Sequence, residues 1–316
     1  MRICRMSLIT TLPLVVDRIR ITGIELSSEQ FGCALSQLPE IAVLCSEKIK
    51  IGVVSLHKPS PYVTAINYSL GKNVVVARLE VGSTKMQKKY LAWELRPHHI
   101  VGSDVYEFHR YIWLLLVDFV GKAFAYESSF LKGKVQYIEL ASDELTQKMH
   151  TFVPWADYIR ESTIYIKNGV KGTIYLGGMQ SQRAYSIYDK EKERMEKGFP
   201  QEYFIRTRIE AKFRKTHLHP WELIGISNPF ESLHMADLKF ARKFTKDAKF
   251  QGFLDAAVTH GSPTAFKALT TAERAKVKSL LKLCSAKWWN PATIWKTYPQ
   301  ALEKLYPSFV YGSEMV

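Results

Sequence analysis

The chain has 316 residues, of which 47% are hydrophobic and 23% are charged, values typical of a folded protein with one large domain or two modest ones. Its 44 Lys and Arg residues exceed its 30 Asp and Glu residues, which gives a net charge of +14. This composition excludes a disordered polar chain and favours a polyanion, most commonly nucleic acid, as the partner. The alternative is a basic surface that binds no polyanion.

The cysteines and the apolar stretches indicate the cellular compartment of the protein. The four cysteines are widely scattered, and no pair has the spacing of a zinc site or a redox motif. The apolar stretch 6–16 is not followed by a small-residue cleavage site, and the stretch 111–117 is too short to span a bilayer. The sequence therefore predicts a protein of the reducing cytoplasm with no membrane partner.

The N-terminal part is predicted to be rich in strands. Segment 48–56 is alternating or continuously apolar, and segments 62–70 and 73–81 flank a Gly-Lys turn, which predicts a hairpin. Segment 105–126 has the length and the wide apolar face of a helix. The sequence then returns to strand character at 134–143.

Short strands continue through the middle of the chain. We expect them near 173–177, 184–189 and 203–214. Short strands in series favour an antiparallel sheet with helices packed behind it, so the predicted fold class is α+β.

The strand at 203–214 alternates clearly between two faces. One face is mainly apolar, and the other is wholly charged: Arg206, Arg208, Glu210, Lys212 and Arg214. A charged face of this kind is most often solvated, although five consecutive charges on one strand face are unusual.

The pattern becomes helical after Pro220. Segment 236–249 sets apolar residues against lysines and arginines, and Thr270 with Glu273 forms a capping box that predicts the start of another helix. We place a domain boundary near 228–235. The predicted organisation is an α+β domain at 1–230 and a basic helical domain at 231–316.

Three carboxylates on strand faces suggest a metal site. Glu139 and Asp143 share one face of the strand at 134–143, and Glu210 lies on the charged strand. If the sheet brings them together, their hard oxygen atoms suit Mg²⁺ or Mn²⁺. His217 and His219 have the His-hydrophobe-His form of metal ligands, but Pro220 suggests that the strand has ended there.

Tyr188 is the candidate nucleophile. It shares a face with Ser186, whereas Tyr185 is expected to face the core. A phenol has a pKa of about 10, so it needs a cation or a base before it attacks a phosphodiester. Lys190, a metal ion or the arginines beside Glu210 would supply that help. The simpler interpretation is a packed ring followed by solvated charges.

The neighbouring Asp189 is less easily placed. In an ideal strand its side chain lies on the face opposite Tyr188, so both reach one site only if the strand twists or ends there.

The central segment resembles a known family. Thr173-Ile-Tyr-Leu-Gly177 with Ser181, followed by Tyr188-Asp-Lys190 and Arg208-Ile-Glu210, resembles the core of the rolling-circle replication initiation proteins of small plasmids and filamentous phages. The family pattern is a T-x-Y-x-G strand, a Ser-Arg-like turn, a strand ending in Y-D-K and a strand reading R-x-E. Segments 95–102 and 137–143 are also similar to family segments, although Glu139 stands where Asp is usual.

The resemblance implies site-specific nicking of one DNA strand at a replication origin. Tyr188 becomes joined to the 5′ phosphate, with Lys190 assisting, and the free 3′ hydroxyl primes synthesis. The implied metal, Mg²⁺ or Mn²⁺, is held by Asp189, Glu210 and one or both of Glu139 and Asp143. The cations expected to contact DNA are Arg183, Arg206, Arg208, Lys212 and Arg214.

The implied partners are origin DNA, single-stranded or hairpin at the nick, and host enzymes. Because no G-x-x-x-x-G-K-[ST] nucleotide-binding loop occurs, a helicase and a polymerase must come from the host. Two other functions remain open: a non-catalytic DNA-binding regulator, and a metal-dependent nuclease that uses water. The oligomeric state is open between a monomer and a homodimer.

Overall fold

The fold is described from a computed structural model for residues 11–48, 53–60, 62–70, 74–83, 88–96, 133–167, 170–178 and 180–305. The helix predicted at 105–126 and most of the family-like stretch 95–102 lie outside these residues.

Ten of the twelve strands in the described part of the chain form one antiparallel sheet, with the order β2-β3-β4-β5-β1-β6-β11-β10-β9-β8. The strands are β1 Val15–Glu25, β2 Val53–Ser60, β3 Val63–Leu70, β4 Val74–Ser83, β5 Lys89–Leu95, β6 Lys134–Glu144, β7 Phe152–Ala156, β8 Ser162–Lys167, β9 Val170–Leu176, β10 Arg183–Asp189, β11 Thr207–Leu218 and β12 Leu233–Asp237. Strands β7 and β12 pair separately. With the helices, this sheet confirms the predicted α+β class.

Most of the helices follow the sheet strands in the chain. They are α1 Ser28–Lys48, α2 Lys190–Glu196, α3 Leu238–Phe244, α4 Ala248–His260, α5 Ser262–Lys267, α6 Thr271–Leu283, α7 Pro291–Trp295 and α8 Tyr298–Leu305, with 3-10 turns at Pro220–Gly225 and Pro229–Ser232. Among the residues described, none of these helices is both long enough and apolar enough to cross a membrane.

The chain forms two compact units. The C-terminal unit contains Ala141–Lys212 and Ser227–Tyr298, and the N-terminal unit contains Val15–Leu140 and Phe213–Ile226. Strands β6 and β11 contribute residues to both units. The helices after β12 cluster with the strands that follow residue 141. The predicted domains at 1–230 and 231–316 stay a prediction.

The core of the C-terminal unit lies between the β7–β12 pair and helices α3 to α6. Trp155, Phe250, Leu254 and Leu281 are buried there. Burying such side chains stabilises the fold by about 1.5–3 kcal/mol each.

The caps of these helices explain where they begin. The capping box of Thr270 with Glu273 is present at the start of α6, as predicted. The single helix predicted at 236–249 is wrong, because Ala236 belongs to β12 and the side chain of Asp247 accepts a hydrogen bond from the backbone N–H of Phe250, which begins a separate helix.

The N-terminal unit contains the predicted β3–β4 hairpin, which is confirmed by antiparallel pairing. Helix α1 was not predicted. Its buried Ala34, Leu38 and Ile41 recur at helical spacing, and Ser27 and Gln30 cap its start by exchanging hydrogen bonds.

Candidate functional site

Strand β10 presents two different faces, and this alternation confirms the predicted parity. Tyr185 is buried and donates its hydroxyl hydrogen to the carbonyl oxygen of Pro229 at 2.7 Å. Burial raises the pKa of this phenol. Ser186 and Tyr188 share the opposite face, where both contact Glu210.

Tyr188 and Glu210 form the centre of the candidate site. The phenol donates to Glu210 Oε1 at 2.5 Å, and Ser186 Oγ donates to Oε2 at 2.7 Å. Lys212 Nζ lies 3.0 Å from the same Oε2. Glu210 is only 4% exposed, whereas Tyr188 is half-buried. The arrangement therefore places an accessible phenol against a held carboxylate.

Backbone pairing positions this contact. Strands β10 and β11 are neighbours in the sheet, and the N–H of Lys190 donates to the carbonyl of Arg206 at 2.8 Å. On the other side of β10, Tyr188 lies opposite Thr173. The connection from β9 needs Gly177, whose φ is +93° and whose Cβ would lie 3.0 Å from the carbonyl oxygen of Arg183.

A buried ion pair involves Arg208, which precedes Glu210 by two residues on β11. Arg208 contacts Asp143 with two nitrogen atoms, and Arg206 adds a third contact. Burial raises the pKa of Asp143, but the charges and hydrogen bonds of the two arginines lower it to about 2. Arg208 is 1% exposed, so this part of the charged β11 face is not solvated.

Asp189 does not join Glu210. It is exposed, and its Oδ1 accepts a hydrogen bond from the backbone N–H of Lys192 at 3.0 Å, which makes it the N-cap of α2. This position agrees with the strand parity, which turns Asp189 away from Tyr188.

Lys190 is buried directly behind the tyrosine. Its Nζ lies 5.7 Å from the Tyr188 ring centroid and 2.7 Å from Glu193 Oε2. Although burial raises the pKa of Glu193, Lys190 and Lys197 lower it to about 2.

The remaining predicted residues lie elsewhere. Glu139 is buried on the part of β6 that belongs to the N-terminal unit. Arg214 belongs to that unit too, with its guanidinium 5.6 Å from the Tyr137 ring. Arg183 is exposed at the start of β10. The site therefore joins Tyr188, Glu210 and Lys212.

The present arrangement does not fit a bound divalent ion. Within the described ranges, no three His, Cys, Asp or Glu side chains are grouped closely enough to hold one. Asp143 is engaged by two arginines, and Glu210 by a phenol, a hydroxyl and an ammonium group. The Nδ1 atom of His219 lies 2.9 Å from the carbonyl oxygen of Gly133, and the ring stacks on Trp221.

Sequence reasoning missed two contributors to this region. Ser186 was assigned to the face of Tyr188 but not to the site, although its parity was a sufficient signal. Glu191 is buried 3.5 Å from Arg206, and no pattern in the sequence distinguishes it from a solvated helix residue.

Comparisons with known proteins give distant similarities. No family model matches the sequence, and no curated protein matches it. The fold is similar to that of a rolling circle replication initiator protein from Geobacillus stearothermophilus, with 14% identity, coverage of 67% of this chain and 78% of that one, and a TM-score of 0.34. It is also similar to DynU16, a protein from the dynemicin biosynthetic locus, with 10% identity, coverage of 85% and 99%, and a TM-score of 0.20.

Proposed function

We propose that this chain is a rolling-circle replication initiator that nicks and rejoins one DNA strand through a 5′-phosphotyrosine intermediate. The observation that carries the proposal is the hydrogen bond from the Tyr188 hydroxyl to Glu210. The sequence pattern around Gly177, Tyr188 and Glu210 and the net charge of +14 support it.

Glu210 is positioned to act as the general base. As the Tyr188 oxygen bonds to phosphorus, its proton passes to Glu210 Oε1, and the bond between phosphorus and the 3′ oxygen breaks. The leaving oxygen takes up a proton from solvent and becomes the 3′ hydroxyl. The phosphodiester is exchanged for a phosphotyrosine ester, so the reverse attack by a 3′ hydroxyl rejoins the strand.

Nearby cations suit the charge that develops on the phosphoryl oxygens. Lys212 lies against Glu210, and Lys190 lies behind the Tyr188 ring. We assign Lys212 and the exposed Arg183 to phosphate contacts. Arg208 instead supports the site from inside, because its guanidinium is held by Asp143.

A requirement for Mg²⁺ or Mn²⁺ remains part of the proposal. Binding an ion at Glu210 or Asp143 would require that carboxylate to exchange its present partners for the metal. The contacts with origin DNA, a host helicase, a host polymerase and a second copy of the chain also remain predictions.

The test is covalent capture of DNA. A random-sequence single-stranded pool, labelled at its 3′ ends, is carried with Mn²⁺ through repeated rounds of selection for label that stays on the protein in SDS. The 3′ label is needed because the 5′ phosphate of the downstream fragment is the group joined to tyrosine. We expect an adduct with the parent chain and none with Tyr188→Phe.

The matched control is Tyr185→Phe, which removes a hydroxyl from the opposite face of the same strand and should retain the adduct. Cleavage without an adduct would replace the proposal with a water-using nuclease, and binding without cleavage would leave a regulator. A parallel reaction in EDTA tests the metal. Loss of the adduct and its return with Mg²⁺ or Mn²⁺ supports the requirement, and an undiminished adduct refutes it.

A further inference from the structure

The face of the sheet that carries Tyr188 continues across β9 to β8. In the strand register, Tyr188 lies opposite Thr173, and Thr173 lies opposite Tyr165. In the adjacent row, Ser186 lies opposite Tyr175, and Tyr175 lies opposite Thr163. Directly opposed residues of antiparallel strands project from the same face, so all six side chains belong to one surface.

The reverse face of these strands is covered. Ile174, Leu176 and Ile187 are buried there, and the hydroxyl of Ser162 donates to the carbonyl of His260 at the end of α4. The face that carries Tyr165 and Tyr175 is different, since these residues are 60% and 38% exposed. Apolar ring area is therefore retained in solvent on the face that leads to the candidate nucleophile.

The two rings are arranged as a platform. Their centroids are 5.6 Å apart and their planes meet at 82°, an edge-to-face contact that fixes both rings. A cross-strand aromatic pair of this kind also stabilises its hairpin, by about 0.2–1 kcal/mol. That role alone does not require the rings to remain exposed.

We propose that Tyr165 and Tyr175 stack on bases of single-stranded DNA that flank the phosphate attacked by Tyr188. This inference rests on the proposed function. The spacing of about 4.8 Å between neighbouring β-strands places the Cα of Tyr165 roughly 10 Å from that of Tyr188. One continuous DNA strand therefore reaches all three rings. The surface suits unpaired bases because every base offers a π-face to an aromatic ring, whatever its sequence.

Charge and continuity identify the occupant. Lys212 lies at the Tyr188 end of the surface, where the phosphate backbone must pass, and the buried Lys190 adds positive charge beneath it. Thr173 lies between Tyr188 and Tyr165, and Thr163 lies opposite Tyr175 on β8, so their hydroxyls add polar contacts for sugar or phosphate. An uncharged peptide strand or an apolar partner would use neither the lysines nor the hydroxyls.

Binding is measured with the chain carrying Tyr188→Phe, so that no chemistry intervenes. The probe is a fluorescently labelled oligothymidylate 12-mer, titrated by anisotropy beside a 12-mer of abasic sites with the same phosphates. Tyr165→Ala and Tyr175→Ala should each weaken oligothymidylate binding by about tenfold. Both should leave the weaker binding of the abasic strand unchanged.

Two controls separate stacking from other effects. Phe at either position retains a ring and should restore the parent affinity. Tyr158→Ala removes an 87% exposed ring from the same unit, outside β8 and β9, and should have no effect. Circular dichroism and thermal unfolding confirm that each alanine variant is folded.

Three results would overturn the inference. The first is that the alanine variants bind oligothymidylate as tightly as the parent does. The second is that the parent binds the abasic strand as tightly as oligothymidylate. The third is that sedimentation shows an oligomer of the parent chain and a monomer of the variants. The last result would identify the surface as a contact between copies of the chain. Because the assay needs no nicking, a base-dependent loss without any phosphotyrosine adduct would retain the platform and refute only the proposed function.

Discussion

Arg208 donates two hydrogen bonds to Asp143 in the interior of the C-terminal unit, from Nε to Oδ1 at 2.7 Å and from Nη2 to Oδ2 at 2.8 Å. Arg206 adds a contact of 2.8 Å to Oδ2. The pair joins β6 to the start of β11, the strand that carries Glu210. Its geometry is the bidentate form in which an arginine best matches a carboxylate.

We expect Asp143→Ala to destabilise the protein by about 3–5 kcal/mol, because it leaves a buried guanidinium without its counter-charge. Urea unfolding at pH 7 measures the change. The matched control is Asp255→Ala, which removes the partner of the exposed Arg242 and should cost less than about 1 kcal/mol. Equal losses in both variants would mean that the buried pair has no special role.

Acid should weaken the fold through the same pair. Burial raises the pKa of Asp143, but Arg208 and Arg206 lower it to about 2, below the ordinary value of 3.8. The unfolded chain then binds a proton at higher pH than the folded chain does. This contribution, on the order of 2 kcal/mol, is complete above roughly pH 5 and is lost as the pH falls toward 2.

The check is the urea midpoint between pH 7 and pH 3. The decline should be shallower in Asp143→Asn than in the parent chain. The decline should not vanish, because Glu193 contributes to it as well. Burial raises the pKa of Glu193, but Lys190 and Lys197 lower it to about 2, so protonation of Glu193 also destabilises the folded chain in acid. An identical slope in the parent and in Asp143→Asn would contradict the assignment.

The two faces of β10 should respond differently to loss of a hydroxyl. Tyr185→Phe removes a buried hydrogen bond to Pro229 and should lower the free energy of unfolding by about 1 kcal/mol without affecting adduct formation. Tyr188→Phe removes a hydrogen bond to the buried carboxylate of Glu210, so it should lower the free energy of unfolding by about 1.5–3 kcal/mol and, unlike Tyr185→Phe, abolish the adduct. Thermal unfolding and the capture assay, run on both variants, measure the two effects. An adduct that Tyr185→Phe abolishes and Tyr188→Phe retains would place the nucleophile on the other face.

Glu210→Gln tests the proposed base. The amide retains the size of the side chain but cannot take the phenol's proton, so adduct formation at neutral pH should fall by about 10²–10⁴-fold. Since a phenol has a pKa of about 10, the residual rate should rise steeply with pH as hydroxide replaces the base. Single-turnover rates at pH 6 to 9 give the profile. A loss that is the same at every pH would indicate a structural role instead.

Asp189 can be tested as a cap and as a metal ligand at once. Asn caps a helix about as well as Asp, so Asp189→Asn should retain stability, whereas Asp189→Ala should cost about 1 kcal/mol. From its position at the start of α2, we expect Asp189→Asn to form the adduct at the parent rate. A large loss that extra Mn²⁺ reverses would show that Asp189 binds the ion.

Much of the candidate site follows from the period of the strands. Alternation alone separates Ser186 and Tyr188 from Tyr185, and it turns Asp189 away from its neighbour, as the structure confirms. The strand period is a property of the backbone, so this part of the prediction did not depend on tertiary contacts.

Partners across the sheet are harder to predict. Periodicity assigns Arg208 to a face of β11 but does not say whether that face meets water or another strand, and here it meets Asp143. The backbone of β11 also departs from a regular strand at Lys215 and His217, which both have a φ of 54°. Non-glycine residues are uncommon in the left-handed region, and the alternation of apolar and charged residues along this strand does not signal the departure.

The separation of Asp143 and Arg208 along the chain has a consequence for synthesis of the protein. A protein grows from its N-terminus, so the aspartate leaves the ribosome 65 residues before the arginine that neutralises it. Until Arg208 is synthesised, burying the end of β6 would leave the charge of Asp143 without its partner. Tyr188 is therefore assembled into its final surroundings late, after the nascent chain has extended past β11.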